Sequence, residues 1–183
     1  MKNSKESNSN NLRYPIGEFN CPKTISKKQI ESWITTIESL PKNITELTKS
    51  LSESQLNFQY RPEGWTIKQV VHHLADSHMN SIIRFKLALT EDAPTIRPYF
   101  EDRWAKLEDY DHQIDPALSI LYGVHAKLVV ILKNLSDLEM KLEFIHPEHG
   151  KHFTLDETIG MYAWHSEHHL AHIKQALKHK GQF

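Results

Sequence analysis

The sequence predicts an all-α protein, a four-helix bundle with one small β-hairpin before its last helix. Three observations point there. Four long segments place apolar residues three and four positions apart, the period of a helix that buries one side. Each of those segments opens on a helix-start signal. One short stretch, KLEFIHPEHGKHFTL at 141–155, instead alternates and turns. The chain has 183 residues, within the range of a single domain with a substantial core.

Residues 1–12 are polar, rich in Asn and Ser, and lack the apolar centre of a signal peptide; they predict a disordered tail before one domain spanning 13–183. Ser26 with Gln29 starts the first helix, about 26–50, whose inner side carries Ile30, Trp33, Ile34, Ile37 and Leu40, with Pro41 interrupting the run. Thr66 with Gln69 starts the second, which continues to about Thr90 through Ile67, Val70, Val71, Leu74 and Phe85. EDAPTIRPYFEDRW, with two prolines and little period, predicts a long connection of the kind that often forms lids or binding loops. Asp115 and Pro116 predict the next start, as N-cap and first-turn proline, with the third helix reaching about Leu135. Pro147–Gly150 turns the hairpin, and Thr154 with Glu157 starts the last helix, about 155–179, ended near Gly181.

Composition narrows the function classes. With 22 basic and 23 acidic side chains the formal net charge is −1, which argues against a general nucleic-acid or membrane surface. No uninterrupted apolar run approaches the ~20 residues of a membrane span. Cys21 is the single cysteine, so no intrachain disulfide is possible and a reducing cytoplasm is the expected setting. Its NCPK turn predicts an inert thiol. The unusual feature is thirteen histidines, the side chains best suited to transition metals.

Four of them fall in WHSEHHLAHI, residues 164–173. At about 100° per residue, His165, His168, His169 and His172 share an arc of roughly 100° on the last helix. Both 165/169 and 168/172 are i,i+4 pairs able to hold one ion. The position that carries the general-base glutamate of an HExxH protease is His169 here, so this is not that motif. Ile159, Ala163, Leu170, Ile173 and Leu177 form a separate apolar stripe. A solvated histidine face is the simpler reading of one pair. A second cluster, VVHHLADSHMN at 70–80, and Met161, Trp164 and Ala176 beside the first, favour a face turned inward on a polar pocket. There His73 shares a narrow strip with Gln69, Asp76, Asn80 and Arg84. Two ligands one turn apart on one helix, with a third from a facing helix, follow the logic of bundle metal sites. Three imidazoles with an open fourth position describe a catalytic zinc site. A third group, His146, His149 and His152, lies around the hairpin and is read as turn polarity.

YPIGEF at 14–19, YRPEGWTIKQVVHHLADSHMNSIIRFKLALTE at 60–91, PTIRPY at 94–99, LYGVH at 121–125, FIHPEHG at 144–150 and TLDETIGMYAWHSEHHLAHI at 154–173 resemble the YfiT-like branch of the DinB superfamily. The resemblance runs from about Tyr14 to the C-terminus. It implies a four-helix bundle, a metal-dependent hydrolase, one divalent ion per chain (zinc first, nickel second) and a homodimer. The histidine preceding Leu in HHL is His73, and the resemblance assigns His168 and His172 as the other two metal ligands. Related bundles are thiol S-transferases acting with bacillithiol, glutathione or mycothiol. The resemblance thus speaks to the site more than to the reaction.

The expected activity is therefore hydrolysis or thiol transfer on a small molecule, with the ion activating a water or a thiol. Asp76, Glu167 and His169 are the candidate proton-handling groups. The alternative is a non-catalytic metal-binding helical module, with the 92–113 connection packed firmly and no gating. Leu170, Ile173 and Leu177 are one candidate dimer interface, and core packing explains them equally well.

Overall fold

The computed structural model describes residues 12–148 and 150–183. Residues 1–11 of the expected tail, and His149 of the third histidine group, lie outside the described residues. Four long helices form the body: α1 (Lys27–Thr48), α2 (Ile67–Thr90), α3 (Asp115–Lys133) and α4 (Leu155–His179). A hairpin of β1 (Glu143–His146) and β2 (Lys151–Thr154) precedes α4, paired antiparallel with Phe144 opposite Phe153. Short helical turns at Glu53–Leu56, Glu101–Trp104 and Glu108–Asp111 sit in the connections.

The start signals work as expected, with one exception. The Ser26 hydroxyl accepts from the Gln29 amide at 3.2 Å. Thr66 and Gln69 satisfy each other's backbone groups at 3.1 and 3.0 Å, a complete capping box. At α3 the N-cap is Ile114, with no side-chain cap, and Asp115 and Pro116 lie inside the first turn. Proline still fits there, because first-turn amides have no intrahelical acceptor. Pro41 lies inside α1 without ending it.

α1 packs against α3 and α4, and α2 packs against the same two. Helices adjacent in sequence, α1 with α2 and α3 with α4, thus face each other across the bundle. At one end Leu40, Ile44, Val70, Val71, Leu74, Leu121 and Ile173 interlock; at the other Ile37, Phe85, Leu128, Phe144, Leu155 and Ile159 do. Each such side chain contributes about 1.5–3 kcal/mol by leaving water. Gly160 allows the close approach of α1 and α4, since a Cβ there would meet the Trp33 ring at 2.8 Å.

Leu170 and Ile173 belong to this core, and the half-buried Leu177 packs against it. They are therefore not the dimer surface considered for them: α4 turns that stripe toward α1 and α2, where it excludes water within one chain. α3 is long and apolar enough, by length and composition, to cross a membrane, which an uninterrupted-run criterion misses because polar residues are scattered along it. Within the bundle its inner side, including Leu121, Leu128 and Leu132, is buried.

The 92–113 connection is pinned in several places. The Ile96 amide donates to Ile145 at 3.0 Å and the Ile145 amide to Pro94 at 2.9 Å, which adds this segment to the edge of β1. Gln69 Nε2 donates to Ala105 at 3.1 Å, and the buried Lys68 ammonium reaches both the Glu53 carboxylate and, at 3.2 Å, the Asp111 carbonyl. Pro98 and Tyr99 are held over the α2–α4 side of the bundle, where the histidines lie.

Candidate metal centre

The inner side of α2 carries His73, and α4 brings His165 and His169 to it from across the helix pair. His73 Nε2 and His165 Nε2 are 3.2 Å apart. One potential ligand atom from each of His73, His165 and His169 lies within 4.8 Å of the others, the one such group of three among the described residues. Two nitrogens on a tetrahedral zinc with ~2.0–2.1 Å bonds are ~3.3 Å apart, so the first pair already has ligand spacing.

The outer contacts decide the tautomer of His169. His172 Nε2 donates to the Arg13 carbonyl at 3.0 Å, which leaves its Nδ1 an acceptor. His169 Nδ1, 3.3 Å from that atom, is then the donor, and His169 Nε2 keeps a free lone pair. On the other side His165 Nδ1 lies 3.4 Å from His78 Nε2; with the proton on His165, its Nε2 is also bare. His73 Nδ1 is buried without a partner among the described residues. Burial holds His73 down to about 4, helped by His168, and holds His165 and His169 well below the ordinary imidazole value. All three are neutral at pH 7, as metal ligation requires. Residue type, spacing and the His169 tautomer fit a divalent ion.

This set differs from the expected one. His73 is common to both, but the structure does not bring His168 and His172 to it as a set of three. His168 stacks on Trp164, rings 4.5 Å apart, and His172 stacks on Tyr60 at 3.7 Å. His172 has also committed Nε2 to the Arg13 carbonyl. The cause is the rotation of α4: seating Ile159, Ala163, Leu170 and Ile173 in the core turns the 165/169 edge of the histidine arc onto α2. His168 lines the cavity beside the site, and its Nδ1 is buried without a partner among the described residues.

The other expected participants separate as well. Asp76 accepts from the Tyr110 hydroxyl at 2.6 Å and fastens the Glu108–Asp111 turn to α2. Burial raises its carboxyl above the usual range, against the pull of that hydrogen bond. It does not line the cavity. Glu167 is exposed on α4 and does not line it either. Of the third histidine group, His146 lines the cavity while His152 pairs with Glu143 at 2.6 Å, so these two do not act together. Burial, with the Glu157 and Asp156 carboxylates, raises the Cys21 thiol, which keeps it protonated and inert.

A cavity of about 620 Å³ lies over the three imidazoles, walled by Tyr60, Trp65, Tyr99 and Trp164. Its size suits a small molecule. A more apolar cavity of about 540 Å³, lined by Ile30, Ile34 and Leu132, holds no cluster of imidazoles and offers no comparable chemistry. The residues that sequence reading missed as cavity walls, Tyr60, Trp65 and Tyr99, come from connections whose path no local pattern encodes.

Comparison with known proteins extends this picture. Residues 36–173 match the DinB superfamily. YfiT of Bacillus subtilis, named as a candidate metal-dependent hydrolase, is 45% identical over 173 residues, covering 93% of this chain and 97% of its own. The chain belongs to the DinB superfamily. Another superfamily relative, a Bacillus cereus protein similarly named, is 48% identical over 169 residues, covering 92% of this chain and 97% of its own. The solved structure of Bacillus subtilis YfiT, described as a probable metal-dependent hydrolase with an unusual four-helix bundle topology, superposes with a TM-score of 0.90 at 44% identity. It covers 93% of this chain and 98% of that one. The bundle of YfiT is thus the bundle seen here, with α1 and α2 on opposite corners.

Proposed function

We propose that this DinB-superfamily chain is a metal-dependent hydrolase acting on a small molecule, with His73, His165 and His169 holding one divalent ion. The observation that carries the reading is the convergence of three neutral imidazoles, from two helices, on the floor of an aromatic-walled cavity. Three nitrogen donors suit zinc or nickel and leave a coordination position for substrate. When bound, such an ion polarises a carbonyl or acidifies a water or thiol.

The chain's own residues supply the rest. His172, behind His169, fixes which ring nitrogen of His169 faces the cavity, the role such outer partners play in metal sites, and His78 stands behind His165. Tyr60 and Trp164 hold His172 and His168 by stacking. His168, neutral and facing the cavity, is the group best placed to exchange a proton with a substrate. Asp76 positions the Tyr110 turn and takes no direct part. The half-buried lone Cys21 fits a reducing cytoplasm.

The test compares metal-loaded and metal-free protein for ester and amide hydrolysis, with conjugation of a small thiol to an electrophile alongside. Metal-dependent hydrolysis that disappears in His169→Ala supports the proposal. Conjugation without hydrolysis makes the protein a thiol transferase on the same three ligands. Turnover in neither assay leaves a metal-binding module.

A further inference from the structure

Arg84 stands eleven residues after His73 on α2, so it projects within roughly 20° of the same side, about three turns further along. Its side chain lines the cavity and is half-buried. One guanidinium nitrogen donates to the Tyr162 hydroxyl at 3.2 Å, and Nε is buried with no partner among the described residues. Tyr162 in turn sits against His165, ring centroids 6.0 Å apart, so the cation lies one ring away from the imidazole cluster. None of the ion pairs among the described residues involves Arg84. The carboxylates lining the same cavity, Glu63, Glu101, Asp102 and Glu148, are all exposed to water.

A guanidinium offers five N–H donors in a planar fork that matches a carboxylate or phosphate with two parallel hydrogen bonds. Drawing such a group partly out of water without a counter-ion is costly, and more so beside a site built for a second cation. If Arg84 served only to hold Tyr162, one N–H would suffice. An anion entering the cavity resolves the imbalance. We propose that Arg84 is an oxyanion subsite, so that the small molecule bound here carries a carboxylate or phosphate at the end away from the three imidazoles. This deepens the reading of the cavity as a substrate site, and it does not depend on which ion the imidazoles hold.

The test uses the metal-free full chain, with Trp65 and Trp164 in the cavity wall as fluorescent reporters. Inorganic phosphate, succinate and uncharged succinamide are titrated into wild type, Arg84→Gln and Arg84→Lys, with circular dichroism confirming each fold. Saturable binding of phosphate or succinate by wild type is expected, with no response to succinamide. Loss of hydrogen bonds to a charged partner should weaken that binding about 10-fold or more in Arg84→Gln and less in Arg84→Lys. The tighter of the two anions identifies the group. Equal binding by wild type and Arg84→Gln, an equal response to succinamide, or no anion binding by wild type overturns the subsite. Elemental analysis of the same proteins separates the two readings. A wild type that binds metal but neither anion removes the subsite alone, and one that binds an anion but no metal removes the metal centre alone.

Discussion

Two neighbouring helix pairs of the bundle, α1 with α3 and α2 with α4, are built differently. α1 buries seven of its 22 residues and α3 six of its 19, in each case mainly along one inner side. α2 buries 13 of 24 and α4 14 of 25, and those buried sets include His72, His73, His78, His168, His169 and His172. α1 and α3 are thus ordinary amphipathic helices with a wet back. α2 and α4 are covered on two sides, by the apolar core and by the 92–113 connection with the hairpin edge. A helix needs one apolar stripe to be held in place. Burying a second, polar face gains little stability, because each imidazole must find a hydrogen bond or remain neutral in a poor solvent for charge. That excess of buried polarity in one pair is where the candidate metal centre lies.

The contrast can be broken most directly at the ligands. His169→Ala or His165→Ala should reduce bound divalent metal from about one per chain to near none, with helical content retained, whereas His168→Ala should keep most of it. Elemental analysis after dialysis decides the matter. Equal loss in His168→Ala would return the assignment to 168/172. In the other pair, Leu121→Ala removes a fully buried side chain on α3 and should cost about 2–5 kcal/mol in denaturant unfolding, with metal stoichiometry unchanged.

Acid should act on both pairs through the same sign. In the metal-free protein burial, as the first cause, holds His73, His125 and His168 at about 4 and His172 at about 3, all below the unfolded value of 6.5. The unfolded chain therefore takes up protons first. Stability is intact above pH ~6.5 and falls as pH drops toward ~4, by up to ~1.4 kcal/mol per pH unit for each such histidine. Urea midpoints measured across that range check the slope, and a flat profile would contradict the buried, neutral state of these rings. The smallest effect concerns the cover: Tyr110→Phe deletes the bond to Asp76 and should cost roughly 1 kcal/mol, with metal content unaltered. A marked loss of metal there would give Asp76 a part in the site after all.

Sequence alone determined the helical elements. The pairs Thr66/Gln69 and Thr154/Glu157 and the apolar stripes place α2 and α4 within a residue of their observed bounds, because caps and periodicity are local physics. It also marked the two histidine-rich faces and His73. Tertiary structure decided which imidazoles meet. His165, His168, His169 and His172 share an arc of about 100°, and a turn of α4 by about 60° exchanges one pair for the other. That rotation is set by how Leu170 and Ile173 seat among Leu40, Ile44 and Val70, residues far away in sequence. The same holds for Asp76, which local spacing puts on the strip of His73 and which Tyr110, arriving from the long connection, draws away from the cavity.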